Sequence, residues 1–387
     1  MARTARSEYL SPDEEAVFYI RCRANRALLL PAHHSHADAV KHRVEYIEGL
    51  IRLYACHFAI SVHAHAVTRR EIRLVLQSRP ELTAELDDAE IARRWLCICP
   101  TLRRGDVPSD KPSDEEIQAL CQDPSRIAQI RRQLSDISWL MRLLQQRVAQ
   151  LCNREDRREG RFWQSRFRAM RLLDAMSHLA ALVNVDLAAV RIRSGKAVSA
   201  SRFTSQVYRR KSLENGSQGV TDRSVEAPTE VLPQNPSDDL DAVASEAHDG
   251  IAAITECRDD RHLAPISHCD TGVATAARQV GQNTLFRCSD DSVLDMHLRD
   301  YVEILEQTSL GCQPADPKLF SLKLREVLRE LQLTFHQWVI LAGHFEKLFS
   351  HVAGKLATMD AFRSKRSKHR ACVRSVARVL LRVRRVS

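Results

Sequence analysis

Apolar positions change period several times along this chain. From 17 to 30, starting Val17-Phe18-Tyr19-Ile20 and ending Leu28-Leu29-Leu30, they crowd together and predict a first strand and its exit. Over 37–56 they fall at Val40, Val44, Ile47, Leu50, Ile51 and Tyr54, the spacing of one helix face. Phe58–Val67 and Ile72–Leu76 are short β-rich runs. Thr68-Arg69-Arg70-Glu71 separates them, which suits a hairpin. Asp87–Cys99 and Ser113–Leu120 read as helices, and Ser113-Asp114-Glu115-Glu116 is a capping-box start. Leu134–Cys152 reads as one long amphipathic helix, Phe167–Leu173 as a strand, and Asp174–Arg193 as a helix. The order β-α-β-β-helices-β-α suits a ferredoxin-like α+β layout, an antiparallel sheet with helices on it. Residues 292–312, Phe320–Leu333 and Phe335–Val352 form a further helical set.

Charge divides the chain. The 387 residues carry a net +9. Between Ser212 and Asp295 lie sixteen acidic and five basic residues, a net of −11, which leaves +20 on the rest. Pro and Gly are scattered through 212–290, so this stretch reads as a disordered acidic linker. The remainder favours an anionic partner. The tail from Ala361 to Ser387 holds ten Lys/Arg and no acid, with Arg374, Arg378, Arg382 and Arg385 on one helical stripe. Such a stripe suits DNA, a membrane surface, or packing on the protein. None of the eleven cysteines makes a C-x-x-C pair, which favours buried thiols and a cytoplasmic setting. No apolar run reaches the ~20 residues that span a membrane, and no signal peptide is evident.

One segment concentrates chemistry. Gly160-Arg161-Phe162-Trp163-Gln164-Ser165-Arg166-Phe167-Arg168 places three aromatics and three arginines in nine residues, in a chain only 5% aromatic. Rings stack on bases and guanidinium forks grip phosphates. The alternative is a core plugged by the aromatics with solvated arginines around them. This segment is preceded by the 131–156 helical stretch. It is followed by Leu172-Leu173-Asp174 and by Val185-Asp186-Leu187-Ala188-Ala189-Val190-Arg191. In that order the pieces resemble the REP-associated branch of the single-tyrosine HUH transposases, over about residues 15–207. Members carry a G-R-F-W-x-x-R-F segment and then a helix reading roughly Tyr-Val-x-Leu-Asn-Pro-hydrophobic-Arg.

The resemblance implies a definite chemistry. Two histidines at i and i+2 on a strand hold a divalent ion, which polarises a phosphate of single-stranded DNA. A tyrosine on the later helix attacks the phosphorus and forms a phosphotyrosine link. Here the His-hydrophobe-His positions align with Glu71-Ile72-Arg73. A carboxylate can ligate a hard cation, but a guanidinium has no lone pair to offer. The nucleophile position falls on Asn184, and no tyrosine occurs between Tyr54 and Tyr208. Two other histidine groups have ligand-like spacing. His63-Ala64-His65 lies six to eight residues early for the family site, and His33-His34-x-His36 lacks a cysteine pair. Both read as ordinary histidines.

The reading is therefore a transposase-like α+β domain over 1–211, the acidic linker over 212–290, and a helical C-terminal extension with its basic tail over 291–387. It predicts a DNA-binding protein with catalytic positions lost and no resident metal, Mg²⁺ or Mn²⁺ being implied only for an active enzyme. Arg161, Trp163, Arg166, Arg168, Arg191 and Arg193 form the expected DNA grip. Single-stranded or hairpin DNA is the expected partner, and a homodimer is what the resemblance implies. The alternatives are an active transposase with unorthodox residues and a scaffold remnant without DNA binding.

Overall fold

The computed structural model describes residues 10–28, 37–99, 112–188, 203–216, 260–266, 287–311 and 321–365. The 33–36 histidines, Arg191, Arg193 and the tail beyond residue 365 lie outside these. The chain is a mixed α+β structure around one five-stranded sheet, ordered β2-β3-β1-β4-β5. Strand β1 (Ala16–Arg23) leads into helix α1 (Ala37–His57) and then β2 (Ile60–Val67). β3 (Glu71–Ser78) returns by a tight turn, in which Thr68 donates its N–H and hydroxyl to the Glu71 carbonyl. β3 then lies between β1 and β2, antiparallel to both. β4 (Arg168–Leu172) joins the free side of β1 antiparallel, and β5 (Val352–Ala353) extends β4 in parallel.

Side chains alternate across a strand, so the sheet has two distinct faces. Phe18, Ile20, Cys22, Ile72, Leu74 and Leu76 point into one core. There α1, α3 (Asp88–Ile98), α5 (Pro124–Leu134) and α6 (Ile137–Glu155) supply the apolar cover. Tyr19, Val75, Ala64, Ala66 and Met170 point into a second core, against α7 (Ala175–Asp186) and the C-terminal helices. Those helices are α9 (Leu298–Leu310), α10 (Leu322–Leu331), α11 (Phe335–Gly343) and the short α12 (Phe345–Leu348). Trp338, Tyr301, Phe345 and Phe349 are wholly buried there. Burial on this scale contributes about 1.5–3 kcal/mol per large side chain.

Local chemistry explains most element ends, including several that differ from expectation. The helix expected over 134–152 is α6, shifted to 137–155, and α5 precedes it as a separate helix that the pattern did not announce. Asp123 caps α5 with Pro124 in its first turn, Ser135 interrupts, and Asp136 caps α6. Ser113 and Glu116 make the expected capping box on α4 (Asp114–Cys121). Asp174 and Ser177 make another on α7, which ends at Asp186, short of the predicted 193. The run 335–352 divides into α11, α12 and the edge strand β5.

The acidic stretch contributes to the core. Leu263, Ala264 and Ile266 are buried, and the Ala264 N–H donates to the Val62 carbonyl of the edge strand β2. A composition window averages such a short apolar run away. Nor do the C-terminal helices form a core of their own, since they share one with the sheet.

Asp186 joins three of these elements. Its carboxylate accepts from Ser205 Oγ, from the Gln206 N–H at 3.1 Å, from Tyr301 Oη at 2.6 Å and from Arg209 Nη1 at 3.4 Å. It thereby binds the end of α7 to α8 (Ser205–Gly216) and α9. Asp186→Ala strands a buried guanidinium, and the expected cost is about 3–5 kcal/mol in urea unfolding. A loss below about 1 kcal/mol would remove Asp186 from this role.

Candidate functional site

Glu71 and Arg73 leave β3 on the second face, opposite Arg23 and Arg21 of β1 respectively. Asn184 arrives from the last turn of α7. Arg73 bonds both: Nη2 donates to Glu71 Oε2 at 2.8 Å, and Nη1 to Asn184 Oδ1 at 3.2 Å. Arg21 donates to the other Glu71 oxygen. Asn184 donates Nδ2 to the Ala342 carbonyl at 2.7 Å, which ties the cluster to α11. Glu346 of α12 closes it. Its carboxylate lies 3.2 Å from Arg21 Nε, an ion pair without hydrogen-bond alignment, and 3.7 Å from Arg73 Nη2.

This donor set does not suit a divalent cation. Each Glu71 oxygen already accepts from a guanidinium, and Arg23 stands 3.7 Å away as a third. A cation would have to displace the Arg21 and Arg73 guanidinium groups to reach the Glu71 and Glu346 carboxylates. Burial raises the Glu71 pKa, but hydrogen bonds from Arg21 and Arg73 outweigh it, so the group is held below its ordinary value. Burial opposes the Arg73 charge as well. The nearby Tyr19, Glu346 and Glu71 more than restore it, and its pKa is raised.

Sequence reasoning missed three members of this cluster, Arg21, Tyr19 and Glu346. Tyr19 Oη donates to Asn184 Oδ1 at 3.0 Å, and Glu346 comes from the far end of the chain. Tyr19 was legible only as a strand residue, and Glu346 carries no local signal. The tyrosine is buried with its ring 5.5 Å from that of Phe345. Burial pushes its pKa up to about 12, opposite to the shift that activates a nucleophile.

The histidine pair at 63 and 65 does not act as an i, i+2 pair. A β-bulge between Val62 and Ala64 adds a residue to β2. His63 therefore turns toward α7, where Nδ1 lies 2.9 Å from His178 Nε2 with the rings stacked. His65 faces α1, 3.4 Å from Glu48, beside Tyr208 and His262. Among the described residues no group of three or more His, Cys, Asp or Glu is arranged to hold a metal ion.

In the Gly160–Arg168 segment, aromatics and arginines separate. Phe162, Trp163 and Phe167 are 2%, 8% and 3% exposed and belong to the first core. Trp163 also donates Nε1 to the Gln145 carbonyl at 2.7 Å. Trp163 was expected in the DNA grip; its ring is instead a core element with no face open for a base. Arg161, Arg166 and Arg168 are exposed. The segment is sewn to the end of β1 by the Asn25 N–H to the Phe162 carbonyl, the Gln164 N–H to the Arg23 carbonyl, and Asn25 Nδ2 to the Arg161 carbonyl.

No family model matches this chain, and no curated protein does. Among solved structures it is similar to a REP-associated tyrosine transposase bound to a REP hairpin. The identity is 11% and the TM-score 0.31, over 58% of this chain and 96% of that one. Among the described residues no helix is long and apolar enough to cross a membrane.

The His63–His178 contact predicts a pH response. Burial lowers both pKa values, with the Arg209 charge adding to it; that of His178 falls to about 4 and that of His63 well below its ordinary value. The unfolded chain takes up protons near pH 6.5 that the folded one refuses, so folding stability falls as pH drops from about 6.5 to 4. Each histidine contributes up to about 1.4 kcal/mol per pH unit in that window. Denaturant titrations of the His63→Gln/His178→Gln variant should show a shallower decline than the wild type. An identical slope would exclude the pair as its source.

Proposed function

We propose that this chain is a transposase-like DNA-binding protein whose catalytic centre has been replaced by an internal ion-pair network. The observation that carries the reading is the meeting of Glu71, Arg73 and Asn184. Sequence resemblance alone assigned them to one site, and Arg73 and Asn184 are 111 residues apart, yet all three share one hydrogen-bond network. The split β1-α1-β2 unit with β3 between its strands fits the ferredoxin-like layout of that reading. The exposed Arg161, Arg166 and Arg168 supply the grip for single-stranded or hairpin DNA.

The chemistry argues against strand cleavage. A phosphodiester transfer of this class needs an acceptor for a metal ion and an activated hydroxyl. Arg73 and the arginine-saturated Glu71 oppose the first, and an amide stands where the second belongs. One observation favours an active enzyme instead: the Tyr19 hydroxyl sits against Asn184. Its burial and raised pKa oppose that role.

Anisotropy with labelled hairpin and single-stranded oligonucleotides tests the proposal. Binding should be measurable at ~50 mM salt and fall steeply toward ~200 mM. Arg161→Ala/Arg166→Ala/Arg168→Ala should weaken it about tenfold or more. No affinity at low salt ends the DNA reading. In parallel, hairpin DNA with Mg²⁺ or Mn²⁺ should give no covalent adduct on denaturing gels. An adduct that disappears in Tyr19→Phe would establish the active alternative.

A further inference from the structure

Three separated segments bring arginines to one end of the sheet. Arg23 leaves β1, Arg69 and Arg70 form the β2–β3 turn, and Arg161, Arg166 and Arg168 follow α6. Backbone bonds hold these segments together. The Ala24 N–H donates to the Arg70 carbonyl at 2.8 Å and the Leu28 N–H to that of Arg69 at 2.6 Å, while Asn25 and Gln164 fasten the third segment to the same strand exit. All six arginines are exposed. Nearby acids turn inward: Asp156 is buried against Arg43, Glu155 pairs with His42 and Arg43, and Glu71 is held by Arg21 and Arg73. Glu159 is the exposed acid in the 154–168 segment.

Arg157 adds an independent observation. Helix α6 ends in a Schellman turn, with the Arg158 N–H donating to the Asn153 carbonyl and the Arg157 N–H to that of Arg154. Arg157 occupies the left-handed position at φ 47°, where glycine is the favoured residue. An arginine stands there in place of the favoured glycine. Asn153 Nδ2, bonded to the Gly160 carbonyl at 3.1 Å, draws this turn toward the same end.

We propose that this end of the sheet binds the sugar–phosphate backbone of DNA without stacking on or reading its bases, and that Arg69, Arg70 and Arg157 belong to the surface. The inference rests on the DNA-binding reading and specifies its mode. Guanidinium forks match phosphate oxygens. The rings that would stack on bases, those of Phe162, Trp163 and Phe167, are in the core. The same burial disfavours a membrane, which needs an apolar anchor beside the cations. Among the described residues the exposed large hydrophobics are Leu310 and Leu322, in the C-terminal helices.

The test measures the full chain against hairpin, single-stranded and duplex oligonucleotides of two unrelated sequences. Affinities should agree within about fivefold across sequences, well below the discrimination that base-edge contacts supply. Arg69→Ala/Arg70→Ala should lower them all alike and reduce the salt slope by about 2. Arg157→Gly should weaken binding about threefold or more without lowering the melting temperature, since glycine relieves the backbone. Gln332→Gly is the control: Gln332 is also left-handed, at φ 55°, but lies between α10 and α11, so its replacement should leave affinity unchanged. Strong preference for one sequence, or unchanged affinity and slope in Arg69→Ala/Arg70→Ala, overturns the inference while leaving DNA binding intact. A drop in melting temperature with Arg157→Gly assigns that residue to the helix end instead. Absence of any binding removes both readings together.

Discussion

Covering the second face of the sheet is the constraint that governs this molecule. β1 and β3 present Tyr19, Arg21, Glu71 and Arg73 there, and α7 with the C-terminal helices closes over them. Charges taken out of water must find partners or lose their charge. Arg21, Glu71, Arg73 and Glu346 pair among themselves, and Asn184 and Tyr19 add hydrogen bonds. The network is thus a consequence of the covering helices as much as of the strands. The hydroxyl of the network, that of Tyr19, is buried.

The same closure explains why residues with functional spacing became structural. His63 and His65 would share a face on a regular strand, but one bulge sends them to opposite cores. The aromatics of the Gly160–Arg168 segment fill the first core, where Phe162 and Trp163 meet edge to face at 5.1 Å. Their arginines cannot follow them inside without partners, so they remain in solvent. Ring and charge are thereby separated, the rings in the core and the guanidinium groups at the surface.

Much of the architecture was legible from local pattern. The β2–β3 hairpin, the α1 stripe of Val44, Ile47, Leu50 and Tyr54, and the Ser113 cap follow from periods and caps that act over a few residues. The Asp123-Pro124 start of α5 and the Asp136 cap of α6 are written in the same alphabet. Packing of Leu263, Ala264 and Ile266 was obscured by the acids around them.

The sequence by itself determined much of the strand and helix order, the concentration of arginine around residues 157–168, and the presence of a guanidinium at 73 and an amide at 184, which can serve neither as metal ligand nor as nucleophile. Those depend on residue identity and short-range periodicity. Only the tertiary structure decided that Glu346 and Tyr19 join Arg73, that His63 parts from His65, that Trp163 is buried, and that Arg69 and Arg70 stand beside Arg161. Each of these is a contact between segments far apart in sequence, settled by which surfaces cover the two faces of one sheet.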